Sequence, residues 1–239
     1  MKALILNSGI GRRMGEAATN HPKCMTPLGD GDTIVSRQLR MLRLSGIREI
    51  VMTVGPFPDM LRQHASKYVP DIRYVHNPRY RETNYIYSMY LARSFLKDDI
   101  LLLHGDLVTE PSVMEDLIRA EDSSVAVEDG IPLPQKDFKA RISDGWITQI
   151  GVDVFGADCI ASQPAYKLRQ PDMQAWMEAI EVFCARQQTG VYAEEALNTV
   201  LDRLRLRPLQ LRGRLCHEID DSADLFDVTE RLSRMGGRT

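Results

Sequence analysis

A loop rich in glycine and basic residues follows the first apolar run of the chain. It covers residues 7–28, NSGIGRRMGEAATNHPKCMTPL. Glycine lets backbone N–H groups approach phosphate oxygens closely, and the start of a following helix would add its dipole. Three cations, Arg12, Arg13 and Lys23, against the single acid Glu16 give this loop a formal charge of +2, whereas the whole chain carries −3. The loop is therefore a candidate site for a polyphosphate.

Neither of the two standard phosphate-loop patterns fits these glycines. Gly9-x-Gly11-x-x-Met14 lacks the third small residue of the dinucleotide fingerprint, and no Gly-Lys-Ser/Thr closes a P-loop. By itself the loop also fits an ordinary strand-to-helix connection with solvated charges. The added cations favour the phosphate interpretation.

Composition limits the kinds of partner that this chain can have. With 239 residues, of which 44% are hydrophobic, it can bury the core of one large domain. A net charge of −3 and a pI near 6 exclude the general attraction to nucleic acid or anionic lipid that a basic face provides. The four cysteines lack zinc-ligand spacing, and no apolar run is long enough to span a membrane. We expect a cytoplasmic protein with reduced thiols and a small-molecule partner.

Apolar runs rich in Ile, Val and Leu alternate with amphipathic segments, which is typical of an α/β domain with a largely parallel sheet. Lys139–Ile142 and Trp146–Ile150, around Asp144-Gly145, predict a hairpin inserted beside that sheet. The predicted strands are Ala3–Leu6, Glu49–Thr53, Arg73–His76, Ile100–His104, Ser124–Val127 and Leu206–Leu211. The predicted helices are Thr33–Leu44, Asp59–Tyr68, Asn84–Leu96, Val113–Ala120, Asp172–Gln187, Ala193–Leu204 and one that starts after Asp220-Asp221-Ser222.

The predicted parallel sheet also indicates where a ligand binds. Ligands of open α/β sheets lie at the carboxyl ends of the strands. By that rule the loops over residues 8–28, 77–83 and 105–110 converge on one site.

Two short segments could supply carboxylates to a metal ion at that site. Phosphate transfer normally uses a magnesium ion held by carboxylate oxygens. Asp106 follows a glycine at the end of a predicted strand, and Glu218 and Asp220 share one face if their segment is extended. Asp106 could also be a turn residue, and Asp220 or Asp221 a helix N-cap. For Asp221 the N-cap is the better interpretation.

The N-terminal loop resembles the signature of a known enzyme family. SGIGRRMG over residues 8–15 and HPKCM over residues 21–25 are similar to the motif of the nucleotidyltransferases that activate sugar phosphates and related small phosphates. The resemblance implies a Rossmann-like three-layer α/β fold with a mostly parallel central sheet and a small inserted β lobe. It also implies that a substrate phosphate attacks the α-phosphate of a nucleoside triphosphate and releases pyrophosphate.

The same resemblance assigns roles to the residues of the loop. Gly9 and Gly11 would lie against the triphosphate, Arg13 would bind the departing β- and γ-phosphates, and Lys23 would contact the α-phosphate. Fixed cations and backbone donors suit this chemistry, because the transition state spreads charge over nonbridging oxygens. The family usually carries two alanines where this chain has Asn7-Ser8, and we expect both residues to remain part of the nucleotide site.

The family also carries an aspartate after the central strand and another in a Glu-Ile-Asp-like segment near the end. The resemblance therefore implies that Asp106 and Asp220 bind Mg²⁺, that Asp106 is catalytic together with Arg13 and Lys23, and that Gly105 borders the nucleotide. His104 stands where many relatives have the first acid of an Asp-x-Asp pair. It could hydrogen-bond substrate or be a buried histidine with its partners satisfied.

Residues 84–90, NYIYSMY, point to one branch of the family. They look like the Asn-x-Tyr-Ser segment of the cytidylyltransferases that act on phosphocholine and on small phosphonates. That resemblance implies CTP as the nucleotide, with Asn84 and Ser88 facing the cytosine or ribose. Tyr85 is a candidate acceptor contact, while Tyr87 and Tyr90 fit an aromatic face that packs the helix.

Acceptor recognition is predicted from the second half of the chain. Glu194 and Glu195 match the acidic part of a segment in that branch and could contact an acceptor amine, or they could form a solvated first helical turn. Lys139 and Lys167 are candidates for the acceptor's phosphate or phosphonate, although lysines usually lie on surfaces. The aromatic residues of this half form no local cluster in sequence.

Together these observations predict a single nucleotidyltransferase domain over residues 1–239. We expect a magnesium-dependent cytidylyltransferase that joins CMP from CTP to a small phosphate or phosphonate. The alternatives are a sugar-1-phosphate nucleotidyltransferase that uses UTP or dTTP, and a nucleotide-binding regulatory domain without catalysis. A homodimer is compatible with the sequence, and no membrane or nucleic-acid partner is expected. The expected parts are a nucleotide-binding half over 1–130, an acceptor-binding part over 131–217, and a metal-ligand segment with the last helix over 218–239.

Overall fold

A computed structural model describes residues 1–9 and 20–236 of the chain. The apolar runs form strands and the amphipathic segments form helices, as their spacing predicts. The strands are β1 Lys2–Asn7, β2 Ile50–Val54, β3 Ile72–His76, β4 Ile100–His104, β5 Leu107–Thr109, β6 Ser123–Glu128, β7 Lys139–Ser143, β8 Trp146–Gly151, β9 Cys159–Leu168, β10 Leu206–Gln210 and β11 Cys216–Glu218. The helices are α1 Ile34–Leu44, α2 Pro58–Ala65, α3 Tyr85–Ala92, α4 Pro111–Arg119, α5 Gln170–Ala185, α6 Ala193–Asn198 and α7 Ser222–Gly236, with 3-10 turns at Lys23–Met25 and Arg93–Phe95.

The central sheet is mostly parallel, which confirms the predicted fold class. Its strand order is β10-β6-β9-β4-β1-β2-β3. β9 runs antiparallel to both of its neighbours, β4 and β6, while the other pairs along this path are parallel. The carboxyl ends of β1, β2, β3 and β4 therefore meet at one edge of the sheet, and the carboxyl end of β9 lies at the other.

The predicted hairpin forms, and it is continuous with the central sheet. β7 and β8 pair around Asp144 and Gly145, which both adopt the positive φ that this tight turn requires. β7 also pairs with β9, so the inserted strands extend the sheet instead of standing apart from it.

Alternating side chains place hydrophobic cores on the two faces of the sheet. Leu4 and Leu6 of β1 pack in the core on the side of α3, α5 and α6, and Ala3 and Ile5 pack in the core on the side of α1, α2 and α4. Helices on both faces give the three-layer architecture. A smaller third cluster under α7 joins Val228 to the rest of the domain.

Three strands were not predicted, and of the predicted helices α6 falls furthest short of its expected length. β5 and β11 have three residues each, which is too short for a periodic signal, and the chain around β9 lacks a clean alternation. α6 ends at Asn198, before the predicted limit at Leu204. None of the helices in the described part of the chain could cross a membrane.

Candidate active site

The carboxyl ends of β1 and β4 open into a cavity of about 320 Å³. Asn7 at the end of β1 and Gly105 after β4 border it on one side, and Tyr85 at the start of α3 borders it on another. This is the edge at which open α/β sheets bind ligands, and the volume is in the range of small-molecule sites. The cavity is therefore the candidate active site.

Lys23 lies between two aspartates, and all three residues line this cavity. Its Nζ donates to Asp106 Oδ2 at 2.5 Å and to Asp220 Oδ1 at 2.6 Å. Burial alone would lower the pKa of Lys23, but the charges and hydrogen bonds of Asp106 and Asp220 outweigh it and hold this pKa above its usual value. The pKa of Asp106 is lowered in turn, because Lys23 and His104 outweigh its own burial.

A second charged pair lies beside the first. His104 Nδ1 and Glu218 Oε1 are 2.9 Å apart. Burial and the charge of Asp106 raise the pKa of Glu218 to about 7, although His104 acts in the opposite direction. Burial disfavours the charged histidine, yet the contact with Glu218 raises its pKa overall. His104, Asp106 and Glu218 each offer one nitrogen or oxygen atom, and these three atoms all lie within 4.8 Å of one another. The three side chains are therefore close enough to share a metal ion.

The short strand β11 brings the carboxyl-terminal acids to this place. Glu218 pairs with Leu107 across the β5–β11 ladder, and Ile219 N donates to Asp106 O at 2.9 Å. The side chain of Asp221 accepts from Ala223 N at 2.8 Å, so it caps α7 as predicted. Because Asp221 is turned to the helix, Asp220 is the aspartate that meets Lys23.

Asn7 and Gly105 fit closely against each other beside the cavity. A Cβ atom at position 105 would lie 1.7 Å from Asn7 Oδ1 and 2.8 Å from Leu6 O, so only glycine fits there. Both residues border the cavity, as does Gly9. These three predicted nucleotide contacts therefore lie at the candidate site.

Ser8 and Ser88 occupy a buried hydrogen-bond network behind the cavity wall. Ser8 Oγ lies 2.6 Å from Ser88 Oγ and 3.4 Å from Thr53 Oγ1, and Asn77 Nδ2 donates to Ser88 Oγ at 3.0 Å. Ser88 is only 1% exposed and does not border the cavity. The prediction that Ser88 faces the nucleotide is therefore corrected: one helical turn from Asn84, its hydroxyl points into the protein and contacts Ser8 just after β1.

Asn84 combines a capping role with a place at the cavity. Its Oδ1 accepts from Tyr85 N at 2.7 Å, and its own backbone N–H donates to Thr189 O at 2.8 Å. It borders the cavity together with Tyr85. The start of α3 is thereby fixed at the site.

Three aromatic residues, Tyr85, Phe138 and Tyr192, also line the cavity and form an aromatic wall. The ring centroids of Phe138 and Tyr192 are 5.2 Å apart, and those of Tyr85 and Tyr192 are 6.0 Å apart. The ring of Tyr85 meets the imidazole of His104 edge-on, with 4.7 Å between centroids. Aromatic faces of this kind attract cations.

Glu194 lies directly behind this wall. Its carboxylate, 1% exposed, accepts hydrogen bonds from the hydroxyls of Tyr85 and Tyr166, the latter at 2.9 Å. Burial and this carboxylate raise the pKa of both tyrosines, so both remain donors. The carboxylate does not line the cavity itself, but its negative charge lies beneath a wall that does.

Three predicted acceptor contacts do not come to the site. Lys167, near the carboxyl end of the antiparallel β9, lies opposite Leu101 at the other edge of the sheet and pairs with Asp99 at 3.7 Å. Lys139 is buried, donates to Pro134 O at 2.9 Å, and its pKa is lowered by burial. Glu195 is exposed on α6, because neighbouring helix positions point in different directions.

Some predictions fall outside the described residues, and some site residues were missed. Gly11 and Arg13 belong to residues 10–19, which the structure does not describe. The pairing of Phe138 with Tyr192 is not predictable from the sequence, because 54 positions separate them and no pattern in one sequence links residues so far apart. For Glu218 the sequence pattern predicts only that it shares a face with Asp220. Its position two residues before an aspartate is the same as that of His104 and could have marked it as a site residue.

Solved structures share the fold over nearly the whole chain. The CTP:phosphocholine cytidylyltransferase of Streptococcus pneumoniae superposes with a TM-score of 0.81 at 20% identity, covering 97% of this chain and 98% of that one. The inositol-1-phosphate CTP transferase of T. maritima gives a TM-score of 0.78 at 18% identity, with coverage of 97% and 96%. At these identities the likeness shows the fold.

Curated proteins with similar sequences include several cytidylyltransferases. A CMP-5'-(3-aminopropyl)phosphonate synthase of Streptomyces rubellomurinus is 39% identical over 126 residues, which cover 52% of this chain and a fifth (20%) of that longer protein. A CTP:phosphoglutamine cytidylyltransferase of Campylobacter jejuni is 26% identical, with coverage of 68% and 70%. The choline-phosphate cytidylyltransferase of Streptococcus pneumoniae is 23% identical, with coverage of 97% and 98%.

A family model settles the relationship that the N-terminal motif indicated. The model of the MobA-like NTP transferase domain matches residues 3–191, from β1 to the segment just before α6. The match includes the glycine-rich loop, Asn84 and Asp106, and it leaves Asp220 beyond its end. By sequence and by fold, this chain belongs to the family of MobA-like NTP transferase domains.

Proposed function

We propose that this protein is a magnesium-dependent cytidylyltransferase that transfers CMP from CTP to a small phosphate or phosphonate bearing an ammonium group. One observation carries the proposal. A single cavity is lined both by the cluster of Lys23, Asp106 and Asp220 and by the aromatic wall that the buried carboxylate of Glu194 backs. The charged cluster suits a triphosphate with its metal ion, and the aromatic wall suits a cation.

The acids of the cluster fit a magnesium ion. Mg²⁺ prefers oxygen ligands and in nucleotide sites is typically held by one or two carboxylates together with phosphate oxygens. Asp106 and Asp220 supply such oxygens, which converge on one point because both contact the same nitrogen. A bound Mg²⁺ would neutralise phosphate charge and orient the triphosphate.

The reaction needs no covalent nucleophile from the protein. An oxygen of the acceptor's phosphate or phosphonate forms a bond to the α-phosphorus of CTP, the bond to the β-phosphate oxygen breaks, and pyrophosphate leaves. Lys23 would stabilise the charge that develops on the α-phosphate, and backbone N–H groups near Gly9 would support the triphosphate. Arg13 keeps its predicted role at the departing phosphates.

The aromatic wall determines which acceptors bind. The faces of Tyr85, Phe138 and Tyr192 offer a surface for an ammonium group, and the charge of Glu194 behind Tyr85 adds to the attraction. The names of the similar proteins support this choice, since choline and aminopropyl groups are cationic. The cytoplasm, where thiols stay reduced, is the compartment that we propose for this reaction.

A substrate panel tests the proposal. Pyrophosphate release is measured with CTP, UTP, dTTP, ATP and GTP, each with Mg²⁺ and with phosphocholine, 2-aminoethylphosphonate, serine phosphate, 2-hydroxyethylphosphonate or glucose 1-phosphate. We expect turnover with CTP and an ammonium-bearing acceptor, and kcat/KM for 2-aminoethylphosphonate at least about tenfold above that for the matched 2-hydroxyethylphosphonate, on the scale of one cation–aromatic contact.

Turnover that requires UTP or dTTP with glucose 1-phosphate would replace this proposal by a sugar-1-phosphate nucleotidyltransferase. Equal kcat/KM values for the amino and hydroxy phosphonates would remove the role of the aromatic wall. Nucleotide binding without turnover for any acceptor would favour a regulatory nucleotide-binding domain.

A further inference from the structure

We propose that the Lys23 ammonium occupies the cation position between Asp106 and Asp220 until a nucleotide binds, so that the metal ion and the nucleotide enter as a coupled pair. The inference rests on the proposed function, because it takes these two aspartates as metal ligands. It gives Lys23 a second role, because its ammonium group fills the metal position before the nucleotide binds.

The first step is geometric. Nζ of Lys23 contacts one oxygen of Asp106 at 2.5 Å and one oxygen of Asp220 at 2.6 Å. A divalent ion bridging the same two oxygens would take the space that Nζ fills. Because an ammonium group and a metal ion repel each other, Lys23 has to leave this position when the ion enters.

The second step is the shielding of these charges from water. The side chains of Lys23, Asp106 and Asp220 are 12%, 22% and 18% exposed. Glu218 adds a third acid beside Asp106, opposed by His104. Withdrawing the ammonium from such a place breaks two shielded charge contacts, so a metal ion that binds alone has to replace a strong existing interaction.

The third step is the freedom of the lysine head. The backbone of Lys23 belongs to the 3-10 turn Lys23–Met25, which is anchored by the buried side chain of Cys24. The flexible four-carbon stem lets the ammonium move while that turn stays fixed. Lys23 also borders the cavity, so phosphate oxygens bound there lie within its reach.

These steps together couple the two ligands. A nucleotide supplies the phosphate oxygens to which the ammonium can move, and the ion then takes over the two carboxylates. Each ligand removes part of the cost of binding the other, and thermodynamic linkage makes this assistance reciprocal. Metal binding without nucleotide is therefore weak because of Lys23, the residue that also serves the reaction.

Manganese binding tests this competition without any turnover. Free Mn²⁺ is measured by electron paramagnetic resonance in titrations of the full chain without nucleotide, with Mg²⁺ added at the end to displace it. The variants are Lys23→Met and Lys23→Gln, and the matched control is Lys136→Met, which removes an exposed lysine from the rim of the same cavity. Circular dichroism verifies that each variant is folded, and a variant that is not folded is replaced by the other.

We expect Lys23→Met to bind Mn²⁺ about tenfold more tightly than the wild type, within the usual range of coupling factors, and Lys136→Met to stay within about twofold. A non-hydrolysable CTP analogue should tighten Mn²⁺ binding more in the wild type than in Lys23→Met. Unchanged or weaker Mn²⁺ binding in both Lys23 variants, including binding too weak to detect, would overturn the proposal. Equal tightening in Lys136→Met would overturn it too, since the effect would then be one of overall charge.

The outcome is separable from that of the proposed function. Tighter Mn²⁺ binding in Lys23→Met without turnover of any CTP and acceptor pair would support the competition and reject the cytidylyltransferase. Turnover in the wild type, together with Mn²⁺ binding that is unchanged in Lys23→Met, would support the cytidylyltransferase and reject the competition.

Discussion

At the scale of single residues, Glu194 shows how a buried charge is made tolerable. A carboxylate that is 1% exposed requires donors, and it has the hydroxyls of Tyr85 and Tyr166. This arrangement keeps a negative charge under the aromatic wall without exposing it to the ligand. In the proposed function, Glu194 would therefore act on an acceptor through Tyr85 and not by direct contact.

Removing the Tyr166 hydroxyl should lower the stability of the fold. Tyr166→Phe leaves one oxygen of the buried Glu194 without its donor, so we expect the free energy of unfolding to fall by about 1–3 kcal/mol. Urea denaturation measures it. Tyr87→Phe is the control, because its ring is half-exposed and, among the described residues, its hydroxyl makes no side-chain hydrogen bond. A loss for Tyr166→Phe no larger than for the control would mean that Glu194 does not depend on this contact.

At the scale of elements, the turn after β4 sets the geometry of the site. It carries His104, Gly105 and Asp106 in succession, and β5 then pairs with β11 to bring in Glu218. Gln38 of α1 donates to His104 O at 2.7 Å and to Leu107 O at 2.8 Å, which ties both ends of the turn to one side chain. The turn is therefore held from two sides.

An added methyl group at the turn should disturb both stability and catalysis. Gly105→Ala places a Cβ against Asn7 Oδ1 and Leu6 O, so the ends of β1 and β4 have to separate. We expect a loss of about 1–3 kcal/mol in the free energy of unfolding, as for other overpacked sites, and a lower kcat/KM for CTP. Gly190→Ala is the control, because nothing lies within 4 Å of its Cβ position. Gly105→Ala with wild-type stability and kcat/KM would contradict the close fit.

At the scale of the whole molecule, the site is assembled from distant parts of the chain. The contacts of Lys23 with Asp106 and Asp220 span 83 and 197 positions, and that of His104 with Glu218 spans 114. α7 packs Val228 and Leu232 against Leu28 and Val108, which holds the carboxyl-terminal acids in place. Folding of the complete domain therefore concentrates acids that repel one another.

This concentration of acids should make stability depend on pH. The pKa of Glu218 is raised from its ordinary value of 4.5 to about 7, by burial and by Asp106. The folded state then binds more protons than the unfolded state between these values, so stability falls as pH rises through this window. The raised pKa of His104 acts in the same direction, and the lowered pKa of Asp106 acts only at more acidic pH.

Glu218→Gln should remove most of this dependence. From pH 5 to pH 8, in a metal chelator, we expect the wild type to lose roughly 1–3 kcal/mol more unfolding free energy than Glu218→Gln. Urea titrations at each pH measure the difference. Parallel stability curves for the two proteins would show that Glu218 does not titrate in this range.

The sequence by itself determined the elements and the chemistry of the loops. Apolar runs with β-branched residues specify strands wherever they are long enough, and the glycines with Arg13 and Lys23 predict a phosphate site because these properties are local. The placement of Asp106 at the carboxyl end of β4 followed from the rule for parallel sheets. Asp221 as the helix cap also followed from neighbouring residues alone.

The tertiary structure alone decided which of the remaining side chains meet. Lys167 lies at the wrong edge because β9 runs antiparallel, and strand direction is fixed by long-range packing that no short pattern encodes. Ser88 points inward because Ser8 and Asn77 already require its hydroxyl. Phe138 and Tyr192, which come just before β7 and α6, join Tyr85 in the aromatic wall only when α6 packs on α3. Local preference sets what each segment is, whereas the burial of both sheet faces sets which segments become neighbours.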